Sequence, residues 1–187
     1  NLISGALNHI NRFKNKIVLI TGAGSGIGRS TALRLDKEGA TSIVVDMNAE
    51  QLKKTHLMLA NPESSSRVLD ISSLDDAKKC FEEINDKYGQ LDALINVAGI
   101  LRFDNSHEVE ISNWNKILEV NLTGTFYMCS FGLPMLLESK GCIVNVSSTA
   151  ALGSHAWTAA YSASKGGISA FSKTLAVEYG LQGLNVN

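Results

Sequence analysis

Short apolar runs alternate with longer segments of mixed polarity along this chain. The first run, from Ile17 to Ile20, is apolar at every position, which is typical of a strand buried on both faces of a sheet. Strands are also predicted at residues 42–45, 67–69, 91–95 and 142–146, and residues 184–187 have the character of a sixth. The segments between them, at about 27–39, 49–60, 74–88, 111–139 and 158–179, have the length and composition of helices. Strands that alternate with helices predict an α/β fold with a parallel sheet and right-handed crossovers.

Serines and a proline refine the ends of two predicted helices. Ser72 or Ser73 is the predicted N-cap of the third helix, because two aspartates then fall in its first turn, where the helix dipole favours negative charge. Pro134 lies inside the long helix of residues 111–139, where it predicts a kink or an early end.

Composition and charge narrow the class of protein. With 187 residues, of which 44% are apolar, the chain is long enough for one domain with a sizeable core. The net charge of −1 argues against a nucleic-acid or anionic-membrane partner. No contiguous apolar run approaches the ~18–20 residues that a membrane span requires, and the first residues lack an apolar signal core.

Cysteine and histidine spacing predicts neither a disulfide framework nor a metal site. The three cysteines are odd in number and widely spaced, so we predict a reducing compartment and a cytoplasmic location. The four histidines show no ligand spacing.

The turn after the first strand is rich in glycine: Thr21-Gly22-Ala23-Gly24-Ser25-Gly26-Ile27-Gly28. Glycine lets the backbone approach a pyrophosphate closely, and the helix that follows offers free N–H groups and the positive end of its dipole. The spacing is not Gly-x-Gly-x-x-Gly, because Arg29 stands where a third glycine would be. We predict that this turn binds a dinucleotide; the alternative is a flexible turn that only packs the helix on the strand. The predicted binding residues are Gly22, Ser25, Gly26, Ile27 and Gly28.

Asp46 ends the second predicted strand, 18 residues after Gly28. A carboxylate at this place can accept hydrogen bonds from an adenosine ribose. An ordinary helix-capping aspartate is the alternative. Since ligands of a doubly wound sheet bind at the carboxyl ends of its strands, the glycine turn and Asp46 predict a Rossmann-type doubly wound parallel sheet flanked by helices, in three α/β/α layers.

Tyr161 and Lys165 lie four residues apart in the last predicted helix, which puts both side chains on one face, one turn apart. A phenol has a reference pKa of about 10. A neighbouring ammonium favours the phenolate, so the pair is suited to proton transfer near neutral pH. Ser148 follows the fifth predicted strand, 13 residues before Tyr161, and its hydroxyl is expected beside the helix. Taken alone, a tyrosine–lysine pair of this spacing can also be a solvated helix face.

Together these motifs resemble the short-chain dehydrogenase/reductase family, from about Lys16 to the last residue. Asp70-Ile71-Ser72 resembles the family's segment beside the adenine ring. Asn96-Val97-Ala98-Gly99 resembles its Asn-Asn-Ala-Gly turn, which backs the cofactor and stabilises the central sheet, with valine in place of the second asparagine. Asn121 matches the family's catalytic asparagine. The alternatives are that Asp70 is only a helix N-cap and that Asn121 only bonds to nearby backbone.

The resemblance implies a role for each of four residues. Tyr161 is the general acid/base, and Lys165 favours its phenolate and binds the nicotinamide ribose. Ser148 hydrogen-bonds the substrate oxygen, and Asn121 completes a proton relay. Ser147 is the alternative to Ser148, but the family's spacing to the tyrosine favours Ser148.

The implied cofactor is NAD. Relatives that bind NADP usually carry an arginine or lysine just before the second motif glycine or just after the second strand, and this chain has Ser25 and Met47 there. Asp46 would also repel a 2′-phosphate. Arg29 is close in sequence but is expected to point along the helix.

The resulting prediction is an NAD(H)-dependent oxidoreductase that interconverts a secondary alcohol and a ketone. A nucleotide-sugar epimerase or dehydratase, and a non-catalytic dinucleotide-binding regulatory module, are the alternatives. A homodimer or homotetramer is implied, since relatives pair the last two long helices across subunits and the last helix is rich in small residues. Residues 1–187 are expected to form a single catalytic domain that lacks the family's last strand and substrate-covering loop. Five residues are candidates for substrate contact: Leu101, Phe103, Leu152, His155 and Trp157.

Overall fold

The apolar runs form one parallel sheet in a computed structural model, which describes residues 11–153 and 155–187. Its strands are β1 (Ile17–Thr21), β2 (Thr41–Asp46), β3 (Ser65–Val68), β4 (Ala93–Asn96), β5 (Cys142–Asn145) and β6 (Asn185–Val186). Their order across the sheet is β3-β2-β1-β4-β5-β6. Strand order therefore reverses between β1 and β4, where a doubly wound sheet opens a crevice at the carboxyl ends of its strands.

Helices connect the strands. They are α1 (Gly26–Lys37), α2 (Ala49–His56), α3 (Leu74–Tyr88), α4 (Ile111–Leu118), α5 (Gly124–Glu138) and α6 (Ala159–Tyr179). A π-helical segment, Glu119–Thr123, joins α4 to α5 without a break, and single 3₁₀ turns lie at Thr149–Ala151 and Gly180–Gln182.

The core has two halves, one on each face of the sheet. Leu19 of β1 packs with buried residues of α3, α5 and α6, whereas its neighbours Val18 and Ile20 pack with buried residues of α1 and α2. Successive side chains of a strand point to opposite faces, so one apolar run supplies both halves. The predicted doubly wound α/β/α fold is confirmed.

The third helix matches its predicted bounds. Its N-cap is Ser73, whose hydroxyl accepts a hydrogen bond from the N–H of Asp76 at 3.3 Å. Asp75 and Asp76 lie in the first turn, as the dipole argument requires.

The second helix is shorter than predicted, because it ends at His56 rather than near Ala60. The buried Asp36 carboxylate of α1 accepts hydrogen bonds from the N–H groups of Ala60 at 2.8 Å and Asn61 at 3.0 Å. These bonds hold the segment in a non-helical path. β3 consequently starts at Ser65, two residues before the predicted strand.

Pro134 does not end its helix, which continues to Glu138. A proline leaves the carbonyl four residues earlier, here that of Ser130, without its helical donor. Both residues are exposed, so water can satisfy that carbonyl.

The helical segment Ile111–Glu138 reaches a mean hydropathy of 1.2 over 18 residues, enough to pass a length-and-composition test for a membrane span. The contiguous-run criterion used on the sequence did not detect it. Met128, Cys129 and Leu136 of this segment have no solvent exposure and pack against the sheet and α3. The buried share of the 18-residue window is 39%, and this part packs on the core.

Candidate active site

The glycine turn leads from β1 into α1 and is shaped by close backbone contacts. Gly22 has a φ of +66°, and a Cβ built there would lie 2.8 Å from the Ala98 Cα. A Cβ at Gly28 would collide with the Gly22 carbonyl oxygen. Gly26 differs, because its φ is +48° and a Cβ there would meet nothing within 4 Å. Gly22 and Gly28 thus allow tight packing, whereas Gly26 faces open space.

Thr21 ties the glycine turn to the loop after β4. Its hydroxyl accepts hydrogen bonds from the N–H groups of Val97 at 3.1 Å and Ala98 at 3.2 Å. The Val97 side chain packs with the core half beneath α1 and α2. The valine that replaces the family's second asparagine is therefore a packing residue here.

Asp46 ends β2 beside the glycine turn. Its Oδ2 accepts a hydrogen bond from the Gly24 N–H at 2.8 Å, and its Oδ1 accepts one from the Asn48 N–H at 2.8 Å. It is not a helix cap, because Asn48 caps α2 through its bond from the Gln51 N–H. A carboxylate has about four lone-pair sites, so acceptor capacity remains for a ribose.

Asp70 follows β3, and its Oδ1 accepts hydrogen bonds from the Ser72 N–H at 2.9 Å and hydroxyl at 2.6 Å. Burial alone would raise the pKa of Asp70, but these hydrogen bonds and the charge of Lys116 lower it. The N-cap alternative for Asp70 is wrong, since Ser73 caps α3.

One cleft of about 510 Å³ opens at the carboxyl ends of β1, β2 and β4. Nine of the predicted cofactor-binding residues line it: Gly22, Ser25, Gly26, Ile27, Asp46, Asp70, Ile71, Ala98 and Gly99. Four others, Gly28, Asn96, Tyr161 and Lys165, do not. Gly28 lies behind the turn, where it allows the helix to approach it.

Asn96 is buried beneath the cleft. Its Nδ2 donates to the Asn145 Oδ1 at 2.9 Å, and the Asn145 Nδ2 donates to the Ser172 hydroxyl at 2.9 Å. Cys129 Sγ lies in the same network, and burial raises the pKa of this thiol to about 12. Asn96 therefore joins β4, β5 and α6, a positioning role that differs from the predicted cofactor contact.

The cleft fits a dinucleotide by an observation independent of the motif. Ser25 is the N-cap of α1 but makes no side-chain capping bond, so the first N–H groups of the helix are left for a ligand. The open space in front of Gly26 lies at the same point. A phosphate can occupy that space, where the helix dipole also favours it.

Lys165 connects the cleft to the proposed reaction centre. A Cβ built at Gly99, which lines the cleft, would lie 3.6 Å from the Lys165 Nζ. This amine is buried, with 4% of the residue exposed, and it donates a hydrogen bond to the Val146 carbonyl at 2.6 Å. Burial lowers the pKa of Lys165.

Asn121 lies in the π-helical segment and has no solvent exposure. Its Oδ1 accepts from the Ile100 N–H at 2.7 Å, and its Nδ2 donates to the Ile100 carbonyl at 2.9 Å and the Ser164 hydroxyl at 3.0 Å. Its bonds therefore run to a loop and a helix remote in sequence, rather than to the nearby backbone of the alternative interpretation. The amide fixes the cleft wall at Ile100 against the residue that precedes Lys165.

Tyr161 is half-buried on the same face of α6 as Lys165, whose Nζ lies 5.8 Å from the centre of the tyrosine ring. Its phenol oxygen makes no hydrogen bond within residues 11–153 and 155–187 and is available to a substrate. Ser147 is committed elsewhere, because its hydroxyl contacts the Lys165 carbonyl at 3.1 Å and the Ser169 hydroxyl at 2.7 Å. Among the described residues, the Ser148 hydroxyl accepts a hydrogen bond only from the nearby Ala150 N–H, at 3.1 Å, which favours Ser148 over Ser147 as the serine free to meet a substrate.

The sequence predicted that Arg29 points along its helix, and this prediction is wrong. Its guanidinium donates to the Gly24 carbonyl, to the Thr55 hydroxyl at 2.8 Å and to the Gln51 side chain at 3.0 Å. The side chain braces the glycine turn against α2. This use explains an arginine at the position where a third glycine stands in other dinucleotide-binding turns.

Known proteins carry this arrangement. The profile of the short chain dehydrogenases matches residues 16–187. The chain belongs to the short-chain dehydrogenase/reductase family. Among its relatives in that family, a 3β-hydroxysteroid dehydrogenase of Mediterraneibacter gnavus is 39% identical over 181 residues, covering 94% of this chain and 65% of that protein. A meso-2,3-butanediol dehydrogenase of Serratia marcescens is 35% identical over 176 residues, covering 94% and 70%. The chain thus spans about two thirds of the length of these curated relatives.

Solved structures of short-chain dehydrogenases superimpose closely. An NAD⁺-bound xylitol dehydrogenase matches with a TM-score of 0.91 and 32% identity, over 94% of this chain and 69% of that one. A carveol dehydrogenase from Mycobacterium avium, in complex with NAD, matches with a TM-score of 0.88 and 27% identity, over 94% and 70%.

Sequence reasoning did not identify Thr21 as a structural residue of this short-chain dehydrogenase site, nor the bracing role of Arg29. Thr21 was visible only as the first letter of the glycine motif. Its partners lie 76 and 77 residues away in the chain, and no local pattern indicates such a bond.

Proposed function

We propose that the protein is an NAD(H)-dependent oxidoreductase that interconverts a secondary alcohol and a ketone. The observation that carries the proposal is that the cleft lined by the glycine turn and Asp46 also reaches Gly99, where a built Cβ would lie 3.6 Å from the buried Lys165 amine. In this proposal the dinucleotide extends past Gly99 toward Lys165 and Tyr161, which brings proton transfer next to the cofactor.

Tyr161 is the proposed general acid/base, which takes the proton of the alcohol oxygen or returns one to the ketone oxygen. Its free phenol oxygen suits this role. Ser148 donates a hydrogen bond to the same substrate oxygen and fixes its position. NAD, when bound, supplies hydride transfer, and the protein contributes orientation and electrostatics.

Lys165 has two proposed tasks. An ammonium offers three donors, and one is used on the Val146 carbonyl, so two remain for ribose hydroxyls. Its charge favours the phenolate of the neighbouring tyrosine. We place Asn121 in the proton relay behind Lys165, since its amide is bonded to Ser164, the residue before that lysine.

At the other end of the cleft, Asp46 accepts hydrogen bonds from the adenosine ribose in this proposal, and Asp70 and Ile71 flank the adenine. Two structural neighbours that carry NAD support the choice of cofactor. The names of the relatives, which include a hydroxysteroid, a butanediol and a cyclohexanol dehydrogenase, support an alcohol substrate without choosing among these classes.

We also propose a homodimer or homotetramer in the cytoplasm. The three cysteines are free, and Cys80 and Cys129 are buried, which is consistent with a reducing compartment. Phe126 of α5 is 46% exposed and packs edge-on against Phe171 of α6, so the two helices present a shared apolar surface to a second subunit. Light scattering of the purified protein measures the oligomeric state.

The deciding experiment combines cofactor binding with turnover. NADH binding is followed by fluorescence, and NAD-dependent oxidation is assayed over a panel of secondary alcohols. Saturable binding with turnover supports the proposal. Binding without turnover of any alcohol indicates the regulatory module instead, and the absence of binding refutes both.

A further inference from the structure

The loops that follow β4 and β5 meet beside the proposed reaction centre. Ile100 lines the cofactor cleft, and four residues later the Asp104 N–H donates a hydrogen bond to the Trp157 carbonyl at 2.9 Å. Trp157 precedes Tyr161 by four residues, just before the Thr158 N-cap of α6. The segment 100–104 therefore runs from the cleft to the start of the helix that carries the tyrosine.

Three large apolar side chains at this place are exposed. The exposed fractions are 67% for Phe103, 88% for Leu152 and 61% for Trp157. We call these three residues the entrance wall. All three lie on the loops that follow β4 and β5, outside the lining of the cofactor cleft, and exposed apolar side chains on such loops are suited to contact an apolar ligand.

Trp157 is held in a conformation that its side chain disfavours. Its φ is +64°, in the left-handed region where a bulky residue is an outlier. The hydrogen bond from the Asp104 N–H fixes the Trp157 carbonyl. The next residue, Thr158, is held by a bond from its own hydroxyl to the His155 carbonyl at 2.8 Å. Strain of this kind is maintained at sites that position a side chain for a ligand.

Several polar side chains lie near the entrance wall, and some of them are engaged with one another; Asn105, for example, donates a hydrogen bond to Glu108 at 2.7 Å. Thr149 and His155 are exposed but contact each other, with 3.2 Å between Oγ1 and Nε2. Arg102 is the one exposed charge of segment 100–103. A short polyol needs hydrogen-bond partners for each extra hydroxyl, and an unpaired buried hydroxyl is costly.

Resting on the proposed function, we infer that the substrate is a secondary alcohol on a bulky apolar skeleton, which packs against Phe103, Leu152 and Trp157, rather than a short polyol. Each buried methylene adds roughly 0.8 kcal/mol of transfer free energy. The entrance wall therefore selects by apolar size.

The test uses the full chain with NAD and compares decahydro-2-naphthol, butan-2-ol and butane-2,3-diol as substrates. We expect kcat/KM for the fused-ring alcohol to exceed that for the diol by about tenfold or more, equivalent to ~1.4 kcal/mol. Trp157→Ala should lower kcat/KM for the fused-ring alcohol about tenfold and leave butan-2-ol within about twofold. Leu57→Ala is the control, since it removes a large apolar side chain that is 74% exposed and lies just after α2.

A second variant separates backbone strain from side-chain loss. Trp157→Gly removes the ring and relieves the positive φ, so it keeps the loop intact if the alanine variant does not fold. It should lose the fused-ring preference as well. A parent enzyme that prefers the diol overturns the inference, as does an equal effect of the Trp157 and Leu57 variants.

Calorimetric binding of 2-decalone to the NAD-loaded chain distinguishes this inference from the proposed function, because it needs no turnover. Absence of turnover with every alcohol refutes the oxidoreductase. In that event, decalone binding that is weakened about tenfold in Trp157→Gly still supports the entrance wall. No decalone binding to the parent overturns it.

Discussion

The preference for NAD over NADP should depend on the charge of Asp46. This carboxylate lies at the cleft and is bonded to the Gly24 and Asn48 N–H groups. The Arg29 guanidinium, which lies beside the turn, already donates hydrogen bonds to the Gly24 carbonyl and to two residues of α2. Nothing at Ser25 or Met47 can neutralise a 2′-phosphate. We therefore expect Asp46→Asn, which removes the charge and keeps the size, to narrow the preference.

The magnitude follows from Coulomb's law. Two unit charges 4 Å apart interact by about 1 kcal/mol in water and about 4 kcal/mol at the effective dielectric constant of a protein surface. The parent should therefore prefer NAD by between about fivefold and about a thousandfold in kcat/KM. The variant turns an amide NH₂ toward one of two N–H donors and so loses one hydrogen bond, at a cost of about 1 kcal/mol. Its melting temperature should fall by about 2–4 °C.

The assay measures kcat/KM for both cofactors and thermal unfolding for the parent and Asp46→Asn. Asp86→Asn, an exposed neutralisation near the end of α3, is the control for a general effect of charge. An equal use of NAD and NADP by the parent would contradict the placement of Asp46 at the ribose. So would an Asp46→Asn ratio unchanged from that of the parent.

Three further predictions concern the catalytic pair, the glycine turn and Thr21. Tyr161→Phe should abolish turnover and leave NADH binding nearly intact, whereas Lys165→Ala should impair both; a phenylalanine variant with more than about a tenth of the parent kcat would exclude the proton-transfer role. Gly28→Ala should lower the free energy of unfolding by about 1–3 kcal/mol and weaken NADH binding, because the new Cβ collides with backbone. Gly166→Ala is the control: a Cβ there meets open space in a helix, so the free energy of unfolding should rise by about 0.5–1 kcal/mol. A Gly28→Ala variant with parental stability and affinity would show that the turn is looser than described. Thr21→Val should lower the free energy of unfolding by about 1–3 kcal/mol, because two N–H groups lose their acceptor, and Thr21→Ser should keep the parent value. Urea unfolding of the parent and the two variants tests this, and equal midpoints would deny the hydroxyl a structural role.

Much of the fold and site could be predicted from the sequence, because the determining patterns are local. The apolar run of β1 is buried on both faces as predicted, and the glycine turn needs only eight consecutive residues to be identified. The spacing of Tyr161 and Lys165 places them on one helix face wherever that helix lies. Parallel strands then bring separate local motifs to one edge of the sheet.

The parts that could not be predicted depend on contacts between distant segments or on backbone detail. The π-helical segment around Asn121 has no apolar period of its own, so a continuous α-helix was predicted across it. The shortened α2 depends on Asp36 of another helix, and Arg29 on residues of α2. The assignment of Asn96 to the cofactor came from the resemblance alone, and its contacts place it in the buried network instead.

The Thr21 contact has a consequence for how the protein acquires its site during folding. The two walls of the cleft come from strands that pair side by side but are separated by about 75 residues of chain, so the wall-to-wall bond forms only after that long loop has closed. A folding intermediate with β1, β2 and β3 already paired would hold a native-like glycine turn and no complete cleft. Affinity for the dinucleotide would then appear only when β4 joins β1, and binding measured during refolding would report the assembly of the central strand pair.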